Sequence, residues 1–213
     1  MKALGMIEVY SFTTAVCAAD ICAKAADVKV IAFDRNRPFA PSAPAPLIMI
    51  VKIEGNVSAV RAAVEAGVNY AKSLNKYIVS HIIANPGEDV DKMAYRLDIN
   101  KDKYNKKLPK SFLGAEYEEQ PPKSIGLLEV QGLVAAIEGL DSMLKAADVR
   151  LVHTEKRLGG RLVTLVVTGN ISAVKSALET GKEKASVLGT VYGCEAIPNL
   201  HGEVAKFFDF DIK

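Results

Sequence analysis

Tryptophan is absent from the 213 residues, and aromatic side chains of any kind make up only 7%. That removes the stacking platforms on which single-strand nucleic-acid binders hold successive bases. An excess of either charge is also missing: 27 Lys and Arg stand against 25 Asp and Glu, a formal balance of +2, and the signs are interleaved almost everywhere. Neither nucleic acid nor an anionic membrane surface is implied as a partner. No apolar run approaches the ~20 residues needed to span a bilayer. The opening Met1-Lys2-Ala3-Leu4-Gly5 leads into no apolar core with a small-residue cleavage site, so no secretory signal is read there. Cysteine is sparse and odd in number, with Cys17, Cys22 and Cys194, which fits buried thiols in a reducing compartment better than a disulfide framework. A soluble, cytoplasmic protein is expected.

Signatures of chemistry are missing too. His81, His153 and His201 are scattered singly, with no nucleophile or carboxylate at motif spacing. There is no phosphate loop, dinucleotide fingerprint, zinc motif or Cys-x-x-Cys pair. No catalytic residue, metal site or cofactor is assigned.

What is present is a repeat. Gly5-Met6-Ile7-Glu8-Val9 returns as Gly126-Leu127-Leu128-Glu129-Val130, and the run from Asp20 to Val28 returns from Asp141 to Val149. Gly55-Asn56-Val57-Ser58-Ala59-Val60 returns as Gly169-Asn170-Ile171-Ser172-Ala173-Val174. The order is the same in both halves, so two homologous domains in tandem are expected. Each half reads as strand, helix, two strands, helix, strand and a short closing helix. Strands are expected at Ala3 to Val9, Val28 to Phe33, Leu47 to Glu54 and Tyr77 to Ala84, and at the matching places of the second half. The first helix of each half is expected at about Thr13 to Ala26 and Leu133 to Ala147. The fold class is α/β, an α+β sandwich with helices packed on a mixed sheet. The domains are placed at 1–95 and 124–210, with 96–123 as a polar linker rich in Lys, Glu, Asn and Pro.

Three segments carry a family resemblance. Gly126 to Val149 is similar to the opening strand and helix of a bacterial microcompartment shell domain. Glu155 to Asn170 resembles that family's pore loop and following strand, and Ile197-Pro198-Asn199-Leu200-His201 its closing turn. The first half matches more loosely, through Gly5 to Val28, Gly55 to Gly67 and Ser80 to Asp89. The resemblance implies a structural tile rather than an enzyme, with two shell domains in the usual, non-permuted order. It implies homotrimers that mimic a hexamer, that meet other shell proteins edge to edge, and that pass or gate small metabolites through a central pore.

On this reading the second pore loop is Arg157, Leu158, Gly159, Gly160 and Arg161, where paired glycines allow a tight turn and free amides could favour anions. The first is longer and proline-rich: Arg37, Pro38, Phe39, Ala40, Pro41, Ser42, Ala43 and Pro44, continuing to Pro46. Prolines favour an extended, semi-rigid protrusion. Two alternatives stay open, a segment that narrows or gates the pore and a surface loop facing away from it. The resemblance assigns Lys24 and Lys145 to the tile edge. Asn85 and Asn199 occupy the turn where relatives often carry an edge arginine. Some tandem relatives hold an iron–sulfur cluster at the pore through a cysteine; neither loop has one here, and Leu158 takes the nearest place. Two other classes are weighed, a trimeric small-molecule sensor with ligands at subunit clefts and an enzyme with a cleft between its domains.

Overall fold

The computed structural model describes residues 2–38, 43–87, 90, 94, 123–155 and 159–208. The chain divides into two compact units, residues 1–105 and 106–213. The first runs β1 (Ala3–Tyr10), α1 (Phe12–Ala25), β2 (Val28–Asn36), β3 (Ile48–Gly55), α2 (Val57–Ser73) and β4 (Tyr77–Ile83). The second repeats it as β5 (Ser124–Gln131), α3 (Leu133–Ala146), β6 (Val149–Glu155), β7 (Leu162–Gly169), α4 (Ile171–Leu188) and β8 (Val191–Pro198), closed by α5 (Gly202–Ala205).

The sheet orders are β2-β3-β1-β4 and β6-β7-β5-β8. Every pairing is antiparallel, which corrects the expected mixed sheet. The reason lies in the connections. Each helix carries the chain between two strands that run the same way, which in sequence looks like a parallel unit. A third strand then inserts between them: β3 separates β2 from β1, and β1 separates β3 from β4. The duplication extends to irregularities. Both sheets shift register between Glu8 and Val9 or Glu129 and Val130, and again between Val30 and Ala32 or Leu151 and His153.

Alternation along β1 divides the sheet into two faces. Gly5 lies on the helix side, where an added Cβ would sit 2.8 Å from Val60 and Val64 of α2. Gly126 is its counterpart, 2.8 Å from Val174 of α4 by the same measure. Only a glycine lets the helix seat this closely on the central strand. Around it in the second unit, Leu128, Val130, Met143, Val163, Leu165, Val167 and Leu178 form one buried cluster. Each such side chain contributes about 1.5–3 kcal/mol relative to full exposure, so this face holds the unit together.

The helix starts follow from local chemistry. Asn56 and Asn170 cap α2 and α4, their side chains accepting from the backbone N–H of Ala59 at 2.8 Å and of Ser172 at 3.2 Å. This explains why Gly-Asn precedes both helices: the asparagine satisfies a donor that the first turn leaves open. Before α1 and α3 the chain turns through positive φ, at Ser11 (78°) and Gly132 (102°). Ser11 accommodates it while its hydroxyl accepts from Thr14 N–H at 3.4 Å.

Candidate functional site

The two loops singled out in the sequence join β2 to β3 and β6 to β7, spanning eleven residues (37–47) and six (156–161). The difference in length expected from the sequence is therefore present. Both loops are pinned at the same place: Ser11 N–H donates to Leu47 C=O at 3.0 Å, and Gly132 N–H to Arg161 C=O at 2.9 Å. Each loop thus leaves the sheet beside the start of its unit's first helix. In the second loop Gly159 (φ 89°), Gly160 (64°) and Arg161 (60°) are all left-handed. Leu162 N–H closes the turn on Gly159 C=O at 3.1 Å, and the Gln131 amide donates to Gly160 C=O at 3.0 Å. The paired glycines take the first two of these positive φ values without the steric cost that Arg161 bears at the third. Gly160 and Arg161 are exposed.

In the first loop Arg37 is exposed, with its N–H donating to the Asn36 side chain at 2.8 Å, while Pro38 and Ala43 are half-buried and Pro44 is exposed. Phe39, Ala40, Pro41, Ser42, Arg157 and Leu158 lie outside the described residues. The described parts present two exposed arginines, Arg37 and Arg161, on two differently built loops at equivalent positions of the repeat.

Lys24 and Lys145 each lie in the last turn of their helix and bond back to a carboxylate four residues earlier, Lys24 to Asp20 and Lys145 to Asp141 at 2.6 Å. The pairs differ in setting. Lys145 and Asp141 side chains are 75% and 52% exposed, whereas Asp20 is only 5% exposed beneath Lys24. The Asp141 hydrogen bond and charge hold the Lys145 pKa above its ordinary value. Asn85 and Asn199 are both exposed in the turns after β4 and β8, and Asn199 takes φ 52°, a conformation asparagine tolerates well.

A further feature was missed in the sequence. On α3, Leu133, Ile137 and Leu144 are 60%, 59% and 44% exposed, with Val134 beside them at 71%. Leu133, Ile137, Leu140 and Leu144 stand at i, i+4, i+7 and i+11, one continuous stripe. The repeat sets Phe12, Thr13, Val16 and Ala23 of α1 at the positions of Leu133, Val134, Ile137 and Leu144; these are only 4%, 0%, 0% and 7% exposed. The same stripe is covered in one repeat and bare in the other. Large apolar side chains at core spacing on both helices were visible in sequence, but periodicity alone does not say which face meets water.

The thiols are packing groups. Cys17 and Cys22 are buried in α1, and Cys22 donates to Ala63 C=O at 3.1 Å. Burial pushes the Cys22 thiol up from 9.0 to about 12 and Cys194 up to about 11. Below pH 9 the thiols are neutral in both folded and unfolded chains. Above it the unfolded thiols ionise while the native ones hold their protons, so stability declines from pH 9 as pH rises through the native values. Melting temperature is expected to fall between pH 8 and 10.5, and to fall less in Cys22→Ala; an identical decline in that variant would refute the linkage.

His201 accepts from Glu203 N–H at 3.1 Å at the start of α5, and His153 lies edge-on to Phe208 with ring centroids 5.5 Å apart. Both contacts are structural. Among the described residues no group of three or more His, Cys, Asp or Glu is placed to hold a metal ion, and no helix is long and apolar enough to cross a membrane.

The BMC domain family matches residues 3–86 and again 124–200. Bacterial microcompartment shell protein EutM of Escherichia coli (strain K12) is 38% identical over 91 residues, which is 43% of this chain and 93% of EutM. Bacterial microcompartment shell protein PduA of Citrobacter freundii is 43% identical over 84 residues, 39% of this chain and 89% of PduA. Carboxysome assembly protein CcmO of Synechococcus elongatus is 31% identical over 196 residues, covering 92% of this chain and 64% of CcmO. The first two match one repeat's length and the third spans both. The chain therefore belongs to the BMC-domain family of bacterial microcompartment shell proteins, a structural and not an enzymatic family, and carries two of its domains in tandem.

Proposed function

We propose that three copies of this chain close into a pseudohexameric ring, that the ring is a tile of a microcompartment shell, and that its axis is a pore for small metabolites. The observation that carries this reading is the uncovered stripe of α3, whose repeat-equivalent on α1 is already buried within a single chain. A surface of this kind calls for a partner, and a second copy of the chain supplies one repeatedly. If the bare α3 stripe meets a different surface of the next copy, the contact is head-to-tail, and such contacts either close into a ring or run on as a filament. Three chains of two domains give six domain positions around the axis.

In this ring the domains occupy 1–95 and 124–210, joined by the linker 96–123. The two kinds of loop alternate around the axis, so the opening has threefold rather than sixfold character. Arg37, Arg157 and Arg161, together with the free amides of the Gly159–Gly160 turn, favour anionic or strongly polar solutes at the opening. The proline-rich segment from Pro38 to Pro44 narrows the opening from the first domain. Lys24 and Lys145, with Asn85 and Asn199, form the tile edge and meet neighbouring shell proteins. Relatives named as shell proteins support the shell role.

Light scattering gives the solution mass, and electron microscopy of concentrated protein then shows the assembly. Trimers that pack into hexagonal sheets or tubes are expected. A monomer that never assembles, or discrete trimers that bind an effector tightly and never tile, would overturn the tile reading.

A further inference from the structure

The face of the first sheet turned away from α1 and α2 carries a cavity of about 290 Å³. Leu4, Met6, Ile50 and Val79 supply apolar wall, and Val90 and Ala94 close it from outside the sheet. Among the described residues its polar lining is Glu8, Asp34, Lys52, Ser80 and His81. Lys52 is 94% buried at its side chain, and its ammonium donates to Asp34 at 3.4 Å and to Ala94 C=O at 3.3 Å. His81 is exposed and Val90 is 43% exposed, so the lining reaches the surface at both.

The second repeat has filled the same place. Counted from Asn85 and Asn199 without a gap, Val90 corresponds to Val204 and Ala94 to Phe208. Val204 is 0% exposed and Phe208 3%, and the Phe208 ring lies edge-on to His153 over the equivalent face. Where one repeat places an aromatic ring, the other has a methyl group and a void. The basic residues have diverged while the acidic ones have not: Lys52 and His81 correspond to Val166 and Glu195, whereas Glu8 and Asp34 correspond to the buried Glu129 and Glu155. A buried lysine costs desolvation energy that a purely structural wall does not require. A buried cation that this repeat alone carries, beside a ring-sized void, points to an occupant.

We propose that this cavity is a binding site for a small molecule with one aromatic or similarly sized apolar body and one hydroxyl or amine donor. The size follows from the volume, since an apolar cavity of about 150 Å³ already admits benzene; the larger space here takes a ring with a polar substituent. The class of head group follows from charge. Among the described lining residues Glu8 and Asp34 outnumber Lys52, and Lys52 already has Asp34 and a carbonyl as acceptors. A donor or cation on the ligand finds a carboxylate acceptor, whereas a ligand carboxylate adds a third negative charge to a partly buried site. The flat body takes the place that Phe208 fills in the other repeat.

The full-length chain tests this with three probes of one ring each: benzylamine, benzyl alcohol and benzoate, titrated by isothermal calorimetry and by protein-observed NMR. Saturable binding of benzylamine or benzyl alcohol at one site per chain is expected, with benzoate at least about tenfold weaker, a 1.4 kcal/mol discrimination. Ala94→Phe copies the second repeat and is expected to abolish binding while raising the melting temperature. Ala94→Leu provides a milder filling, expected to weaken the same probes. Absence of saturable binding by any probe would overturn the proposal. So would equal affinity for benzoate, or affinity unchanged in a folded Ala94→Leu chain.

Discussion

Ile137→Glu is expected to leave the chain folded but monomeric at concentrations where the unaltered chain forms the proposed trimer. In the isolated chain Ile137 is 59% exposed, so a glutamate there replaces a surface side chain. Surface changes of this kind usually stay within about 0.5 kcal/mol of neutral. In the proposed ring the same carboxylate would enter an apolar contact, where truncation of a central anchor alone costs about 2 kcal/mol and burying an unpaired charge adds to it. That is roughly a 30-fold loss at each interface, and ring closure multiplies it across the copies. The equivalent substitution in the first repeat, Val16→Glu, should behave differently. Val16 is 0% exposed in the single chain, so a charge there is expected to unfold the protein rather than dissociate it. Light scattering separates the first outcome, and circular dichroism the second. An Ile137→Glu chain that keeps the trimer's mass would remove α3 from the interface.

The contrast between Ile137 and Val16 marks how far the sequence could be read. The duplication was legible from Gly5 and Gly126, from the two Asp-to-Val runs and from the Gly-Asn pairs, because each is fixed by local backbone or close packing. Element order and the lengths of the two loops followed from the same residues. Strand pairing did not. Two helical crossovers between like-directed strands suggest a mixed sheet, and only the insertion of β3 and β1 between them makes each neighbour antiparallel. That is a long-range choice which periodicity does not encode. The α3 stripe was equally out of reach, since Leu133 and Phe12 look alike in sequence and differ only in what covers them. The replacement of Phe208 by Ala94 could be seen only after the closing segments of both repeats were set in register on the sheet.

Lys145→Ala is expected to weaken sheet formation strongly without changing the mass or the fold of the proposed trimer. The side chain is 75% exposed and makes its described ion pair with Asp141 on the same helix, so its loss leaves no buried group stranded. Its effect on tiling is much larger than on folding, because each tile repeats the contact around its perimeter and a small loss per edge is multiplied by avidity. The critical concentration for sheets should rise at least about tenfold. Lys24→Ala should weaken tiling too, but with a lower melting temperature, since Asp20 beneath it is only 5% exposed and is costly to leave with one partner fewer. Asp141→Asn supplies the converse. It removes the carboxylate that draws the Lys145 ammonium back along α3. If Lys145 acts at the edge by reaching a neighbour, Asp141→Asn should tile at least as readily as the unaltered chain. If the edge recognises the Asp141–Lys145 pair as a unit, both substitutions should disrupt sheets alike. Sheets that form equally well in Lys145→Ala and Lys24→Ala would remove both lysines from the edge. Shell contact would then rest on the turns at Asn85 and Asn199, whose exposed amides offer hydrogen bonds that added salt screens far less than a lysine's charge.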